Sequence, residues 1–284
     1  MVITYYQRRG YNMDMHYDGY GLIWDGKFTK NIRKIYKISF CTTCMDRLYN
    51  LKETLPKNIK DNREYPYLEF VVLDYNSQDG LGQWMKDNMM EYIKSGRLSY
   101  YRTEEPKYFS MAHSRNIAFK VATGEIVNNL DADNYTIDAS GKQPIDPLPF
   151  YLNRMANERP RKTIFAKGKK GMHGRVGFFK DEFIEELGGY DEGLLGYGHD
   201  DHDIVQRAWA LNYSMYWWGG KYFSRIKTGG KEKNKNMERP WKETENKNKY
   251  KSARNIEAGI YKANQGKHWG KAKLIKNFCE EMEV

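Results

Sequence analysis

Strand-like and helix-like patterns alternate along the first half of this 284-residue chain, beginning near residue 35. A short continuous apolar run is typical of a buried strand, whereas apolar residues three and four positions apart are typical of a helix. The strand-like segments IYKISFCTT, LEFVVLDY, LSYYRTE and EIVNNL are separated by the helix-like segments MDRLYNLKETLPKNI, LGQWMKDNMMEYIKS and MAHSRNIAFKVATG. This alternation predicts an α/β fold with a mainly parallel sheet that helices cover on both faces.

The third of these helices carries signals for both of its ends. Ser110 stands immediately before the helical pattern, where a serine side chain can accept a hydrogen bond from the first turn. Gly124 follows the last periodic residue, in the position of a C-cap glycine. We therefore expect this helix to begin after Ser110 and to end near Gly124.

Polar side chains stand at the carboxyl ends of three predicted strands. They are Thr42 and Thr43 after the first strand, Asp74 and Asn76 after the second, and Asp131 and Asp133 after the fourth. Sheets of this class bind their ligands outside the carboxyl ends of the strands. Three such clusters on one edge favour a binding site there over three unrelated turns.

The segment NNLDADN, residues 128–134, ends the fourth strand with two carboxylates that are separated only by Ala132. Aspartate and asparagine commonly end a strand in a solvated turn, and they also serve as helix N-caps. Two carboxylates at a strand tip can instead hold Mg²⁺ or Mn²⁺ while phosphate oxygens complete the coordination. Spacing alone leaves all three interpretations open.

The net charge of +10 is concentrated in one part of the chain. Residues 221–254 contain 12 Lys or Arg and 4 Glu, which is a net charge of +8. Such a polar run is typical of a solvated loop or an exposed helix. It can also attract phosphates, whether of a nucleotide, a nucleic acid or an anionic lipid surface.

The sequence contains no apolar run near the ~20 residues that a membrane-spanning helix requires, and its first residues lack the apolar core of a signal peptide. Cys41 and Cys44 form a lone CxxC without nearby histidines, which favours buried thiols over a zinc site. These features predict a cytoplasmic protein.

Four segments in order between residues 35 and 225 resemble glycosyltransferases of the GT-A fold, notably the family 2 enzymes and the β-1,4-galactosyltransferase type. They are CTTCMDR, VVLDYNSQDG, HSRNIAFKVATGEIVNNLDADN and GYDEGLLGYGHDDHDIVQRA. The resemblance implies a Rossmann-like, mainly parallel sheet flanked by helices, in a single domain with a basic C-terminal extension. It divides the chain into an N-terminal extension at 1–34, a nucleotide-sugar-binding half at 35–135, an acceptor-binding half at 136–220 and a basic, partly flexible segment at 221–284.

The resemblance also implies roles for individual residues on the donor side. Asp131 and Asp133 match the family's DxD motif, which holds Mn²⁺ or Mg²⁺ on the diphosphate of a nucleotide sugar. The donor-binding residues that the resemblance implies are Thr42, Thr43, Arg47, Asp74, Asn76, Arg115, Asn116 and Asp131.

On the acceptor side, GYGHDDHD at 196–203 resembles the family's GWGGEDD motif. The resemblance makes Asp201 the catalytic base and assigns acceptor binding to Asp200 and Gly198. From the residues alone, the same acidic run is equally typical of a helix N-terminus, where carboxylates complement the helix dipole. Many family members place a further metal ligand, commonly a histidine, after this motif, whereas WWGGKYFSRIKTGG contains none.

Three functions follow as hypotheses. The first is an inverting, metal-dependent glycosyltransferase that moves a sugar from a nucleotide sugar, a UDP-sugar above all, to a hydroxyl of a saccharide or glycoconjugate. The second keeps the enzyme but takes a hydroxylated DNA base as acceptor, as phage-encoded transferases do, and uses the basic segment 221–254 to bind DNA; a base in a duplex would have to be flipped out. The third is a non-catalytic binding module with a degenerate GT-A fold.

Overall fold

The computed structural model describes most of the chain. The described residues are 14–17, 22–25, 33–142, 144, 146–167, 174–227 and 229–284. Most of the predicted N-terminal extension, 1–34, therefore lies outside the described residues.

Strands within the described residues are numbered in chain order. They are β1 (Asp14–Tyr17), β2 (Leu22–Asp25), β3 (Arg33–Ile35), β4 (Ile38–Cys44), β5 (Leu68–Tyr75), β6 (Leu98–Thr103), β7 (Ile126–Asn129), β8 (Asn134–Tyr135), β9 (Thr163–Ala166), β10 (Val176–Phe179), β11 (Ser214–Trp217), β12 (Ser224–Arg225), β13 (Lys273–Lys276) and β14 (Glu280–Glu283).

Helices are numbered in the same way. They are α1 (Leu48–Asp61), α2 (Leu81–Asn88), α3 (Met90–Lys94), α4 (Met111–Val121), α5 (Leu148–Glu158), α6 (Lys180–Glu185), α7 (Asp200–Ala210), α8 (Gly230–Asn234) and α9 (Trp241–Glu257). No helix among the described residues combines the length and the apolar character needed to cross a membrane.

The main sheet has nine strands within the described residues, in the order β11-β9-β10-β7-β4-β5-β6-β13-β14. Its central strands β7, β4, β5 and β6 pair in parallel, as the alternating pattern predicts. The antiparallel strands β10 and β13 flank this centre, so the whole sheet is mixed. Because β4, β5 and β7 run in the same direction, their carboxyl ends lie at one edge of the sheet. A separate antiparallel sheet, β1-β2-β3, precedes it.

The core consists of one apolar layer on each face of this sheet. Alternate side chains of β5 point to opposite faces, so Phe70 belongs to one layer and Val71 to the other. The first layer joins the sheet to α1, α2 and α5, and the second joins it to α4, α6 and α7. The prediction of a single α/β domain with helices on both faces is confirmed.

Two helices differ in detail from the sequence patterns. Pro56 lies inside α1, which continues to Asp61 although proline cannot donate the usual backbone hydrogen bond. The segment LGQWMKDNMMEYIKS forms two helices, α2 and α3, because the chain leaves helical geometry at Met89.

The two end signals of α4 have different outcomes. Ser110 is confirmed as its N-cap, since the Ser110 hydroxyl accepts from the backbone N–H of His113 at 3.5 Å. The prediction for Gly124 is wrong, because α4 ends at Val121 and Ala122 is its C-cap. Gly124 instead lies against β4, where an added Cβ would come within 2.6 Å of the backbone nitrogen of Ser39. Its small size permits a close approach of two backbones.

Elements beyond residue 220 pack onto the same domain. Strand β13 pairs with β6 and carries β14 at the sheet edge, and α9 packs against α7. The boundary drawn at 220/221 stays a prediction, as do the other two divisions of the chain.

Candidate active site

The DAD turn, residues 131–133, follows β7 at the carboxyl edge of the sheet. The backbone N–H of Asn134 closes the turn on the carbonyl of Asp131 at 2.9 Å. Strand β8, not a helix, comes next, so the N-cap interpretation is wrong. Both carboxylates line one cleft, hereafter the rim cleft, whose polar lining is Thr43, Arg47, Asn50, Asp131, Asp133, Tyr197, Lys233 and Lys235.

A row of polar side chains on α1 holds the DAD turn and the residues after it. Thr54 donates to the carbonyl of Ala132 at 2.7 Å, and Asn58 donates to the carbonyl of Asn134 at 2.9 Å. Asn62, one turn further, donates to the hydroxyl of Thr136 at 2.7 Å. Residues four apart lie on one face of a helix, so one buried face of α1, continued by its C-cap residue Asn62, makes all three contacts. This face positions the DAD turn against the sheet.

The second acidic pair, Asp200 and Asp201, begins α7. His199 precedes them in a left-handed conformation, with φ of 68°. The pair therefore stands at a helix N-terminus, where backbone N–H groups and the helix dipole favour negative charge. That interpretation of HDDHD is confirmed, and it is compatible with a chemical role for either carboxylate.

Helix α9 supports the loop that carries this pair. Thr244 donates to the carbonyl of Tyr197 at 2.9 Å, and Asn248 donates to the carbonyl of Gly198 at 2.9 Å. Gly198 has φ of 94°, and a Cβ there would approach the Cβ of Glu245 to 3.0 Å. Gly198, which is predicted to bind an acceptor, thus packs against α9, and its backbone determines the shape of the loop.

Arg115 joins the two acidic motifs. Its guanidinium, from the second turn of α4, donates to Asp200, to Asp201 at 2.8 Å and to Asp131 at 3.1 Å. The arginine side chain is only 1% exposed, whereas that of Asp131 is 31% exposed. Since one guanidinium spans both motifs, the carboxylates of Asp131 and Asp201 lie on either side of a single buried cation. Asp131 remains accessible from the rim cleft.

Gly174 makes a second connection between the motifs. Its backbone N–H donates to Asp201 at 2.9 Å, and its carbonyl accepts from Asn129. Asn129 also donates to Asp131 at 2.8 Å. Gly174 has φ of 66°, and a Cβ there would lie 2.0 Å from a carboxylate oxygen of Asp131. Only glycine fits this place without displacing the aspartate.

Burial shifts the proton affinity of two of these carboxyl groups. It raises the pKa of Asp201 to about 7; the charges of Asp200 and Asp131 act in the same direction and Arg115 opposes them. Burial also raises the pKa of Asp133 to about 6, with a further rise from the charge of Asp131. A carboxyl with a pKa near neutrality is well suited to accept a proton at physiological pH.

A divalent cation suits the chemistry of the DAD turn. Asp131 and Asp133 supply hard oxygen donors on one cleft, and the raised pKa of Asp133 reflects in part their mutual repulsion, which a cation would relieve. Within the part of the chain that the structure describes, no cluster of three or more His, Cys, Asp or Glu side chains forms a ready cage. Two carboxylates alone leave room for waters and phosphate oxygens.

Four of the residues predicted to bind the donor lie behind the rim cleft instead of lining it. Thr42 donates to the carbonyl of Leu130 at 2.6 Å, and Asp74 accepts from Arg102 at 2.8 Å. Asn76 donates to the carbonyl of Pro106 at 2.9 Å. The buried amide of Asn116 donates to the carbonyl of Tyr190 and accepts from the N–H of the same residue. These side chains hold the loops around the cleft, and their predicted contact with the donor stays a prediction.

Thr43, Arg47 and Asp131, also predicted to bind the donor, do line the rim cleft. The motifs do not identify three further lining residues: Asn50, Lys233 and Lys235. The amide of Asn50 is 1% exposed, and neither its nitrogen nor its oxygen has a hydrogen-bond partner among the described residues. The four-residue spacing of Asn50, Thr54 and Asn58 beside the leucine stripe of α1 is the sequence signal that could have identified this face.

The arrangement combines a carboxylate pair open to a cationic cleft with a buried carboxyl that can take up a proton near pH 7. Such a site can hold a phosphorylated ligand on one side and deprotonate a hydroxyl on the other.

Comparison with known proteins identifies two family matches along the chain. Residues 39–139 match the model described as Glycosyl transferase family 2. Residues 161–251 match the model described as N-terminal domain of galactosyltransferase. The first match contains the DAD turn and Arg115, and the second contains Gly174, Asp200 and Asp201. No curated protein is significantly similar to the chain.

Solved structures with a similar fold include a mannosyltransferase and the protein TarS. The mannosyltransferase PcManGT from Pyrobaculum calidifontis, in complex with GDP-Man and Mn²⁺, is 23% identical with a TM-score of 0.52; the match covers 65% of this chain and 55% of that one. TarS from S. aureus is 16% identical with a TM-score of 0.56, over 80% of this chain and 40% of TarS. A TarS fragment, 1–349, in complex with UDP is 16% identical with a TM-score of 0.50, over 73% and 68%. The chain thus spans just over half the length of the mannosyltransferase.

Proposed function

We propose that the chain is an inverting, metal-dependent glycosyltransferase that transfers a sugar from a nucleotide sugar, a UDP-sugar, to a hydroxyl of a saccharide or glycoconjugate. The two family matches and the GT-A fold support this proposal. The observation that carries this proposal is the position of Arg115, whose guanidinium contacts Asp131 of the DAD turn and Asp201 at the start of α7. The proposed metal ligand and the proposed base thus contact the same guanidinium.

The rim cleft is the proposed donor site. It lies at the carboxyl ends of β4 and β7, where sheets of this class bind nucleotides. Thr43 and Arg47 line it on the β4 side, and the unpartnered amide of Asn50 faces it from α1. A buried amide without a protein partner is costly unless a ligand or water satisfies it. The solved relatives that hold GDP-Man or UDP support a nucleoside diphosphate as the occupant.

Asp131 and Asp133 are the proposed ligands of Mn²⁺ or Mg²⁺. When bound, such an ion neutralises the charge that develops on the departing diphosphate. The mannosyltransferase relative that holds Mn²⁺ supports this choice of cation. In the proposed site, Arg115 keeps Asp131 in place from the buried side while the exposed side of the carboxylate faces the ligand.

Asp201 is the proposed catalytic base. Its carboxylate accepts the proton of the acceptor hydroxyl as the hydroxyl oxygen forms a bond to the anomeric carbon. The bond from that carbon to the phosphate oxygen breaks, and the nucleoside diphosphate leaves with the electron pair. Attack from the face opposite the leaving group inverts the anomeric configuration. Asp200, on the same helix turn, is proposed to bind an acceptor hydroxyl, and Gly198 to shape the loop beside it.

A binding screen followed by a transfer assay tests this proposal. Wild-type protein is first heated with UDP-, GDP- and ADP-sugars, each with and without Mn²⁺, because a ligand that binds the native state raises the apparent melting temperature. Donors that bind are then incubated with saccharide acceptors, and release of nucleoside diphosphate is measured. We expect turnover with a UDP-sugar and Mn²⁺. Absence of both binding and donor turnover across the panel would refute the enzyme proposed here.

A further inference from the structure

Residues 229–237, hereafter the crossing segment, run across the rim cleft as part of the basic region. Arg47 donates to the carbonyl of Glu232, and Asn236 donates to the carbonyl of Met45 at 3.0 Å. On the other side, the backbone N–H of Phe109 donates to the carbonyl of Asn236 at 2.8 Å. The segment is therefore fastened to the loop after β4 and to the loop before α4. It forms one wall of the cleft.

Two lysines of the crossing segment belong to the lining of this cleft. Lys233 lies over the ring of Trp241 at 4.4 Å and near the ring of Tyr197 at 5.5 Å. Lys235 comes within 4.0 Å of Asp46 and keeps half of its side chain exposed. Both lysines share the cleft with Arg47. The ammonium group of Lys233 is attracted to the π faces of these two rings, which hold the side chain along the wall of the cleft.

The charges of the lining do not balance without a ligand. Its charged residues are Arg47, Lys233, Lys235, Asp131 and Asp133, which is three cations against two carboxylates. A divalent ion on the carboxylates would add further positive charge. The cleft therefore favours an anionic ligand, and two phosphate groups joined in a diphosphate carry charge of the required sign and magnitude.

The rest of the basic region offers a contrast. Arg239 and Lys247 both form ion pairs with Glu243 on the exposed surface of α9. Their charge is partly balanced there, whereas Lys233 and Lys235 contribute their charges to the lining of the rim cleft. This contrast favours a small phosphorylated ligand over a long nucleic acid as the partner of the crossing segment.

We infer that Lys233 and Lys235, together with Arg47, bind the diphosphate of the donor, and that the crossing segment supplies charge neutralisation which complements the two-carboxylate metal site. This inference rests on the proposed function and identifies which part of the donor the basic region recognises. It predicts that a nucleoside diphosphate binds measurably even when divalent metal is removed, because three cations remain in the cleft.

The test is calorimetric titration of the full chain with UDP and with uridine, in EDTA and in Mn²⁺. The variant carries Lys233→Met and Lys235→Met, which keep the aliphatic stems but remove the charges. A matched control carries Lys242→Met and Lys249→Met, two exposed lysines of α9. Circular dichroism melting of all three proteins establishes that each is folded. Because charge-assisted contacts are worth ~1.5–3 kcal/mol, we expect UDP affinity to fall at least ~10-fold in the variant.

Four measurements decide the outcome: the affinity for UDP in EDTA, the affinity for UDP in Mn²⁺, the affinity for uridine, and the binding of UDP by the control protein. The inference is supported if UDP affinity falls in both EDTA and Mn²⁺ while uridine affinity is unchanged and the control binds like wild type. It is overturned if wild type and the variant bind UDP equally. That result would leave the proposed donor site supported and would remove only the role of the two lysines. Wild type that binds no nucleoside diphosphate with or without Mn²⁺ overturns the proposed function as well. Tight binding to hydroxymethylated duplex DNA that the variant loses, with UDP affinity retained, would assign the lysines to nucleic acid.

Discussion

The guanidinium of Arg115 donates a hydrogen bond to the carboxylate of Asp201 at 2.8 Å. The proposed base is thus held in an ion pair, next to Asp200, before any acceptor arrives. Burial and neighbouring carboxylates favour its protonated form, whereas the arginine favours the ionised form. The balance leaves the carboxyl poised near neutral pH, so activity should respond to pH over an accessible range.

Activity should rise with pH through the pKa of Asp201. A base must be ionised to accept a proton, and the pKa of this carboxyl is about 7. We therefore expect kcat/KM to be low in acid, to reach half of its maximum near pH 7 and to level off above it. Asp201→Asn should remove this dependence and lower kcat by ~10²–10⁴-fold with little change in UDP affinity. The exposed Asp181→Asn serves as the control, and a flat wild-type profile would exclude Asp201 as the base.

Gly174→Ala should impair the site by displacing Asp131. The new methyl group would lie 2.0 Å from the Asp131 carboxylate, at a backbone φ of 66°. Gly219→Ala is a matched control, since Gly219 has φ of 64° and nothing lies within 4 Å of its added Cβ. Both variants carry similar backbone strain, typically ~1 kcal/mol. We expect weaker Mn²⁺ binding and slower transfer for Gly174→Ala alone; equal effects would mean that backbone strain, not the contact, is responsible.

Asn50→Leu and Asn58→Leu should affect different properties, although both residues are buried on α1. Asn58 binds the backbone at Asn134 and Thr136, so its loss leaves buried groups unpaired and should lower the free energy of unfolding by ~1–3 kcal/mol. The amide of Asn50 has no partner among the described residues. We expect Asn50→Leu to retain stability in urea titrations but to bind UDP-sugar several-fold more weakly. A large loss of stability at Asn50, with donor affinity unchanged, would contradict a ligand contact.

Removal of divalent metal should slow transfer more than it weakens nucleotide binding. Asp131 and Asp133 are the proposed ligands, whereas Arg47, Lys233 and Lys235 remain available for the diphosphate. We expect EDTA to abolish turnover and Mn²⁺ to restore it. Asp133→Asn should require at least ~10-fold more Mn²⁺ for half-maximal rate, since even outer-shell changes typically cost that much in metal affinity. Asp87→Asn, on the exposed face of α2, is the control, and full turnover in EDTA would disprove metal dependence.

The central sheet could be predicted because its signal is local. Each of β4, β5, β6 and β7 is a short apolar run, and helices between them carry leucines or other apolar residues at helical spacing. The outer strands have no such repeat. Strand β13, with the sequence KLIK, has only two apolar residues between two lysines, and its pairing with β6 spans more than 170 residues of chain. Contacts at that separation leave no local pattern.

The acidic motifs of the site were visible in the sequence, but their supports were not. Helix α9 buries Thr244, Asn248 and Ser252, so its inner face is polar and an apolar periodicity could not reveal it. Asn50 and Gly174 are informative only through what surrounds them. One is an amide without a partner and the other is a glycine against a carboxylate, and both facts depend on segments distant in the chain.

The dependence of Asp200 and Asp201 on α9 also orders events during synthesis of the chain. The loop before these aspartates is bound by Thr244 and Asn248, which a ribosome adds more than 40 residues later. A nascent chain that stops between them contains both acidic motifs in full, yet lacks the helix that orients the second one. During synthesis, the chain therefore acquires both acidic motifs before it acquires the helix that holds the second motif in place.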